Sequence, residues 1–393
     1  MNLCLPALMR RQTASVLLML CGAIASVVAH AELPVEQSRI ESLPPANSLR
    51  LYLSDPVMGH LVDGRVHIID GAKMRYLGLI GTGFSASTVL SPDRQHLYVA
   101  TTYHSRLQRG LRSDVVEIYR TDNLTYEREI EIPAKHAQSL PIKATMQTSA
   151  DGRFLLIQNA TPATSVTVVN LAAGKVTAEV ANPGCWGVLP WPERPTRFSS
   201  VCGDGTLMTF DLDVEGKPAG SYRSTRFFDP DADPVFMHYQ MVGSHATFVS
   251  YYGTVYRLDL SGEQASFAPT WSLLDAATKK QGWRPSGYEL FAVDPITNRL
   301  YIGMHSKGAE GTHKKPAEQI WTVDLNHQKR LSRTPGYAAI SMVLTHSEKP
   351  QLMLLNGTDN TLVALDVGKP GGLTKPIQKS APFGETPIYL EAH

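Results

Sequence analysis

Residues 294–303 read DPITNRLYIG, and residues 320–324 read IWTVD. The first stretch is a polar turn followed by a strand with alternating apolar residues, and the second is a similar strand that ends in aspartate. Alternation with a period of two residues, bounded by Gly, Pro, Asn and Asp, is typical of antiparallel strands joined by tight turns. The two stretches therefore predict neighbouring strands of one β-sheet.

A strand of this kind, ending in Asp or a substitute and here called an Asp-ended strand, recurs along the whole chain. The strands are RVHIID, VVEIYR, VTVVN, LMTFD, VYRLD, IWTVD and LVALD, and their last residues are Asp70, Arg120, Asn170, Asp211, Asp259, Asp324 and Asp366. The successive spacings are 50, 50, 41, 48, 65 and 42 residues. A turn-and-strand pattern usually precedes each of these strands, and another strand often follows. Seven such units predict an all-β protein, a seven-bladed β-propeller with four-stranded blades.

The two ends of the chain predict how this ring closes. The first unit begins at LRLYLSD (49–55), so its innermost strand is missing, whereas TPIYLEAH (386–393) is a strand without a unit of its own. Pairing of the C-terminal strand with the first blade would close the ring and remove an exposed sheet edge. We expect the propeller over residues 48–393 and an N-terminal arm over 32–47.

The first 31 residues have a different composition. Arg10 and Arg11 precede the apolar stretch TASVLLMLCGAIASVV, and AHA (29–31) follows it. This order is typical of a secretory signal peptide over residues 1–31 with cleavage after Ala31. A membrane anchor is the weaker alternative, because the apolar stretch is short for a membrane span. We therefore expect a secreted protein that is not held in a membrane.

Charge and composition exclude other classes. The chain is 43% hydrophobic, and its 37 basic residues nearly balance its 36 acidic residues. No run of like charge stands out, whereas a nucleic-acid surface needs a concentrated basic stripe. A large buried core is expected, and nucleic acid is not an expected partner.

Cleavage after Ala31 would leave two cysteines, Cys185 and Cys202, which are 17 positions apart. Disulfides persist in secreted proteins, so one bridge is the favoured interpretation, and it would stabilise the fold by about 3 kcal/mol. Two buried free thiols are the alternative. A zinc site is disfavoured because neither a CxxC motif nor paired histidines accompany the cysteines.

A polar insert (residues 305–318) interrupts the unit with the longest spacing. It contains His305, Glu310, His313 and Glu318. Its histidines are eight residues apart, unlike the spacing of an HExxH or zinc-finger motif. We interpret the insert as a loop between the middle strands of one blade, a connector or a partner contact rather than a metal site.

A second polar segment, residues 101–114, reads TTYHSRLQRGLRSD. Its charged and titratable residues are His104, Arg106, Arg109, Arg112 and Asp114. These residue types would suit an anion site, but the segment also bridges the second and third strands of a blade. A hydrogen-bonded loop or a docking surface is the favoured interpretation.

Other motifs are incomplete or missing. Asp229, Asp231 and Asp233 have calcium-loop spacing, but Pro234 stands where glycine is needed and Gln240 where a glutamate belongs. There is no CxxCH, Gly-rich phosphate loop or GxSxG elbow. The residues alone therefore predict a secreted propeller without a visible catalytic constellation.

Several stretches together resemble the heavy subunit of quinone-dependent amine dehydrogenases. They are TTYHSRLQRGLRSDVVEIY, LIQNATPATS, CWGVLPWPERP, VCGDG, FVSYYGTVY, WRPSGYELFAV and GTHKKPAEQIW. The resemblance runs from about residue 35 to the C-terminus and includes both cysteines and the insert. TTYH, QNATPATS, SYYG and GTHK favour the heavy chain of aromatic amine dehydrogenase over that of methylamine dehydrogenase.

The resemblance implies a periplasmic propeller that has no catalytic residue and no metal site of its own. In this family a small, cysteine-rich light chain carries the cofactor, tryptophan tryptophylquinone. Two heavy and two light chains form an α2β2 heterotetramer. The complex oxidises primary amines, here arylalkyl amines, to aldehyde and ammonia, and passes the electrons to a blue copper protein such as azurin or amicyanin.

The resemblance also implies roles for particular residues. Phe84, in IGTGFSAS, matches the heavy-chain aromatic residue that faces the entrance to the light-chain active site, so it is expected to wall the substrate channel. An ordinary propeller aromatic is the alternative. Cys185 and Cys202 match the intrachain disulfide of the family.

Three other functions are kept as alternatives. The first is the heavy subunit of a dehydrogenase for methylamine or another aliphatic amine. The second is a stand-alone periplasmic binding propeller. The third is a propeller enzyme such as a lactonase, which would need acidic metal ligands facing the central channel.

Overall fold

The structure is a computed structural model that describes residues 39–138, 142–368, 373 and 375–393. The chain divides into two compact units, residues 1–41 and 42–393. The predicted signal peptide, with Cys4 and Cys21, lies outside the described residues. None of the helices in the described ranges is both long and apolar enough to span a membrane.

The first sheet contains the two ends of the 42–393 unit. Its strands run in the order β29-β1-β2-β3-β4-β5-β6. Their bounds are β1 (Arg50–Asp55), β2 (Gly64–Asp70), β3 (Arg75–Leu90), β4 (His96–Arg106), β5 (Arg109–Arg120), β6 (Tyr126–Ile132) and β29 (Tyr389–Ala392). The long β3 pairs with β2 through its first half and with β4 through its second half. The sheet therefore consists of two four-stranded parts that share β3.

The other sheets follow one another along the chain. The second and third contain β7 (Met146–Thr148), β8 (Phe154–Asn159), β9 (Ser165–Asn170), β10 (Lys175–Ala181), β11 (Cys185–Trp191), β12 (Arg194–Cys202), β13 (Leu207–Leu212) and β14 (Pro218–Arg223). The fourth contains β15 (Val235–Val242), β16 (His245–Ser250), β17 (Thr254–Asp259), β18 (Ser266–Phe267) and β19 (Trp271–Ser272).

The last two sheets complete the chain. The fifth contains β20 (Arg284–Pro285), β21 (Phe291–Asp294), β22 (Arg299–His305), β23 (Gln319–Asp324) and β24 (Lys329–Pro335), and the sixth contains β25 (Ala339–Leu344), β26 (Gln351–Asn356), β27 (Thr361–Asp366) and β28 (Pro376–Pro382). The short helix α1 (Ala276–Lys280) precedes the fifth sheet. Short 3-10 turns occur at Leu61–Asp63, Lys143–Thr145 and Thr312–Lys314.

The repeated Asp-ended strands are the third strands of these four-stranded parts. They are β2, β5, β9, β13, β17, β23 and β27. The terminal carboxylate usually orders the turn that follows. Asp70 Oδ1 accepts hydrogen bonds from the N–H groups of Ala72 and Lys73 at 3.0 and 3.1 Å. Asp324 Oδ1 accepts hydrogen bonds from the N–H groups of Asn326 and His327 in the same way. At these strand ends, a side-chain carboxylate takes the place of a backbone carbonyl as the acceptor for the N–H groups of the turn.

Apolar clusters join each four-stranded part to the next. One cluster, for example, combines Tyr52 and Ile68 of the first part with Leu97 and Val99 of the second. A further cluster combines Leu51 and Leu53 of β1 with Met353 and Leu355 of β26, so the first part packs against the last.

The antiparallel sheets of the described residues confirm the predicted all-β class. The blade count, the closure of the ring and the domain boundary at residue 48 stay predictions.

Candidate functional site around Phe84

Phe84 lies in β3 at a kink in the backbone. Its neighbours Gly83 and Ser85 have φ angles of +61° and +49°, and the β3–β4 register shifts between Phe84 and Ser87. A non-glycine residue rarely adopts a positive φ, and a bulge of this kind re-aims a side chain. The Phe84 ring is half-buried and meets the His104 ring edge-on, with 6.2 Å between centroids.

Hydrogen bonds from two directions fix this kink. Thr101 Oγ1 donates to the Phe84 carbonyl at 3.3 Å. On the other side, Ser85 Oγ donates to the Gln138 carbonyl at 3.1 Å, and His136 Nε2 lies 3.3 Å from the Ser85 carbonyl oxygen. The side chain of Phe84 is thus displayed by backbone that neighbouring elements hold in place.

The buried carboxylate of Asp114 connects these elements. It accepts hydrogen bonds from Thr102 Oγ1 at 2.8 Å, from Arg112 Nε at 2.7 Å and Nη2 at 2.6 Å, and from the His136 N–H at 3.2 Å. Burial alone would raise the pKa of Asp114, but the hydrogen bonds from His136, Arg112 and Thr102 hold that pKa well below its ordinary value. Asp114 is therefore a structural anion whose bonds are made within the chain.

The 101–114 segment is not the loop that the sequence analysis favoured. β4 and β5 continue through it as a ladder to the pair Arg106 and Arg109, and only Leu107 and Gln108 form the turn. The prediction of a loop is wrong because the ladder satisfies the backbone of this polar sequence. Arg112 pairs with Asp114, so Arg112 is not free to bind an anion.

The insert has a different conformation. His305 is the buried last residue of β22 rather than part of a loop, and its Nε2 lies 2.8 Å from Thr312 Oγ1. His313 stacks on Phe236 with 5.1 Å between ring centroids. Burial lowers the pKa of both histidines. The insert is folded against the fourth sheet, which suits a connector or a contact loop.

Carboxylates of the Asp229 segment serve their own turn and the adjacent hairpin. Asp229 Oδ1 accepts the N–H of Asp231 at 3.0 Å, and Asp233 Oδ2 accepts Ser250 Oγ at 2.6 Å and Thr254 Oγ1 at 2.8 Å. Within the described ranges, no group of three or more His, Cys, Asp or Glu side chains is placed to hold a metal ion.

Cys185 and Cys202 form a disulfide, as predicted. They are paired residues on β11 and β12, with 3.8 Å between their Cα atoms, and both are buried. The bridge therefore fastens the end of one hairpin and has a structural role.

Two cavities lie at opposite ends of the strands that begin the four-stranded parts, such as β7 and β15. The cavity at the strand starts, of about 320 Å³, is lined mainly by apolar and aromatic side chains that include Trp186, Phe236 and Tyr288. The cavity at the strand ends, of about 470 Å³, contains Arg94, Lys143, His346 and Glu391 among its lining residues. Burial and the cationic neighbours Arg94 and Lys143 lower the pKa of His346 to about 4.

Sequence reasoning missed the residues that hold Phe84. His136 is 52 positions from Phe84 in the sequence, and no motif links it to Ser85 or Asp114. The one local signal for the kink is Gly83, because glycine inside a strand suggests a bulge. Only the fold brings these residues together.

Four-stranded antiparallel sheets stacked through apolar clusters define this chain as an all-β protein of the β-propeller type. Two solved structures share the fold. The periplasmic gluconolactonase PpgL of Pseudomonas aeruginosa aligns with a TM-score of 0.61 and 16% identity over 87% of this chain and 98% of its own. The β-propeller domain of Myceliophthora thermophila Cps50 aligns with a TM-score of 0.53 and 13% identity over 80% of this chain and 94% of its own.

Sequence comparison gives the family. Residues 47–387 match the family described as methylamine dehydrogenase heavy chain, and the chain belongs to that family. The methylamine dehydrogenase heavy chain of Methylobacillus flagellatus is 28% identical over 81% of this chain and 79% of its own length. The heavy chain of Methylophilus methylotrophus is 28% identical over 84% of this chain and 81% of its own length.

Proposed function

We propose that this chain is the non-catalytic heavy subunit of a periplasmic, quinone-dependent amine dehydrogenase. The observation that carries the proposal is the match of residues 47–387 to the methylamine dehydrogenase heavy chain family. The kinked backbone that displays the half-buried Phe84 supports it, because such a residue can contribute to a site completed by another chain.

The partner in this proposal is a small, cysteine-rich light chain in an α2β2 heterotetramer. Its tryptophan tryptophylquinone supplies the oxidation of a primary amine to aldehyde and ammonia. A blue copper protein of the azurin or amicyanin type accepts the electrons. The residues of the heavy chain then bind and orient the light chain and shape the route to it.

The architecture in this proposal is a seven-bladed propeller, each four-stranded part being one blade. The pairing of β29 with β1 supports ring closure, since it adds the C-terminal strand to the first part. The cluster that joins β1 to β26 supports it as well. Such closure leaves no free sheet edge at the chain ends.

Phe84 is the proposed wall of the substrate channel. Its ring is held between the kink of β3 and His104, so it can present a fixed apolar face to a substrate. We propose arylalkyl amines as substrates, on the resemblance of TTYH, SYYG and GTHK to aromatic amine dehydrogenases. Methylamine is the second candidate, because the relatives are named as methylamine dehydrogenase heavy chains.

Substitution of Phe84 by alanine separates these substrates. The ratio of kcat/KM for phenylethylamine to kcat/KM for methylamine should change several-fold in the complex. The two amines differ in size and apolar surface, so loss of the Phe84 ring from the channel wall affects them unequally. An unchanged ratio would contradict the role of Phe84. In the unaltered complex, a ratio below one would favour the methylamine alternative.

Native purification tests the subunit assignment. The chain should elute with a small cysteine-rich chain in a 2:2 complex that has a visible quinone band. A colourless monomer without a second chain would contradict the assignment and favour the stand-alone binding propeller.

A further inference from the structure

The hairpin formed by residues 101–114 projects beyond the sheet. β4 and β5 contain 11 and 12 residues, whereas most of the corresponding strands in the other parts contain six or seven. Pairing of β3 with β4 begins at Thr102, and pairing of β5 with β6 begins at Asp114. From the Tyr103–Ser113 pair to the Arg106–Arg109 pair, the two strands therefore pair only with each other among the strands of the described ranges.

The tip of this hairpin is apolar and exposed. Leu107 is 78% exposed and Leu111 is 81% exposed. Leu107 also has a φ of +60°, at the first central position of a two-residue turn, where glycine is preferred. Such a leucine costs conformational energy, and most of its side chain stays exposed. Folding alone therefore does not account for it.

The charge of the projecting part is entirely positive. Residues 101–113 contain no Asp or Glu. Arg112 is paired with Asp114, whereas Arg106 and Arg109 form no ion pair with any residue in the described part of the chain. A surface that received this tip would need acidic groups beside apolar pockets.

The base of the hairpin is held firmly. A two-stranded ribbon is marginally stable by itself in water, but Asp114 ties this one to Thr102, Arg112 and His136. The tip is thus presented in a fixed orientation, which lowers the ordering cost of binding. The same network holds the kink that displays Phe84.

We propose that the 101–114 hairpin is a docking element that places Leu107, Leu111 and its two unpaired arginines on an acidic, apolar-pocketed surface of the small subunit. This inference rests on the proposed function and deepens it. His104 of the hairpin contacts the Phe84 ring, so the docking surface is continuous with the residue proposed to face the small subunit. Docking would then set the position of Phe84 at the subunit boundary.

A matched pair of double variants tests the inference. The test variant is Leu107→Asp/Arg109→Glu. The control is Val214→Asp/Lys217→Glu, which changes one exposed apolar residue and one exposed lysine in the β13–β14 turn. All of these side chains are exposed, so both variants should retain the circular dichroism spectrum and Tm of the unaltered chain.

The measurement is the Kd of each heavy chain for the small subunit purified from the native complex and identified by its quinone band. The test variant should bind at least about tenfold more weakly, and the control should match the unaltered chain. In a third variant, Arg106→Gln/Arg109→Gln, the association rate should fall and depend less on salt.

Three outcomes would overturn the inference. Equal binding by the test variant and the unaltered chain would remove the docking role and leave the proposed function intact. Unchanged binding with loss of self-association would assign the hairpin to a second copy of this chain. Failure of the unaltered chain to bind the small subunit would overturn both the inference and the proposed function.

Discussion

The 101–114 hairpin and the insert (305–318) occupy equivalent places in the chain but have opposite relations to the rest of the molecule. Each connects the second and third strands of a four-stranded part. The hairpin leaves the surface with Leu107 and Leu111 exposed. The insert returns to the surface and packs His313 against Phe236.

Backbone hydrogen bonding explains this difference. The hairpin satisfies its own N–H and C=O groups through the β4–β5 ladder, so it needs no neighbour. The insert has no such ladder and relies on other elements. The Gly287 N–H donates to the His313 carbonyl at 2.9 Å, and the Ala317 N–H donates to the Ala339 carbonyl at 2.8 Å. The insert therefore contributes to stability, whereas the tip of the hairpin is available for recognition.

Asp114→Asn should have the largest effect, because it breaks the base of the hairpin. Removal of the charge leaves Arg112 beside a neutral amide in a buried site, and the free energy of unfolding should fall by about 3 kcal/mol. Urea unfolding would measure this change. Asp63→Asn is the control, since Asp63 pairs with Arg65 in an exposed ion pair, and a change below about 1 kcal/mol is expected there. Equal effects would contradict the account.

Acidification should loosen the insert before the hairpin. The lowered pKa values of His305 and His313 mean that their neutral forms stabilise the fold fully above about pH 6.5 and that this contribution is lost as the pH falls further. The pKa of Asp114 is lowered in the fold, so its ionised carboxylate stabilises the fold fully down to about pH 4, and this stabilisation is lost as the pH falls further. Hydrogen-exchange protection should therefore fall in 305–318 between pH 7 and 5, and in 101–114 only below pH 4. Simultaneous loss would contradict this order.

Tyr251→Phe should weaken the hold on the insert alone. The Tyr251 hydroxyl donates to the Ala309 carbonyl at 2.5 Å, and its removal should cost about 1 kcal/mol. Hydrogen exchange should accelerate in the insert and stay unchanged in the 101–114 hairpin. Unchanged exchange at Ala309 and Thr312 would show that the insert is held by other contacts.

Leu107→Gly should have the smallest effect on the isolated chain, and it should be stabilising. Glycine accepts the positive φ without strain, so Tm should stay constant or rise, by the equivalent of up to about 1 kcal/mol. Leu111→Gly is the matched control, because Leu111 has no positive φ, and it should be slightly destabilising. A clear loss of stability in Leu107→Gly would mean that this side chain serves folding.

The sequence predicted much of the fold because the repeat has a local cause. Most of the repeated strands combine period-two alternation with a terminal carboxylate, and at Asp70 and Asp324 this carboxylate orders the next turn. The disulfide was also predictable, since only two cysteines follow residue 31. These features depend on residues that are close in the sequence or few in number.

The site around Phe84 was less predictable because its contacts are long-range. Phe84 itself came from a family resemblance, whereas Ser85, Asp114 and His136 were not connected by any pattern. The extension of β4 and β5 was missed because a polar sequence with glycine is typical of a loop, although a ladder of its own can satisfy it. The continuity of β3 through two four-stranded parts was missed for a similar reason: Gly81 and Gly83 suggest a break.

Amine oxidation by separated subunits tests the central claim most directly. The heavy chain, the small chain and the reconstituted complex would each be assayed for phenylethylamine- and methylamine-dependent dye reduction. The account predicts that the quinone band resides in the small chain, that the heavy chain is inactive, and that the complex has full activity. Activity or a quinone band in the heavy chain alone would contradict its role as a non-catalytic subunit.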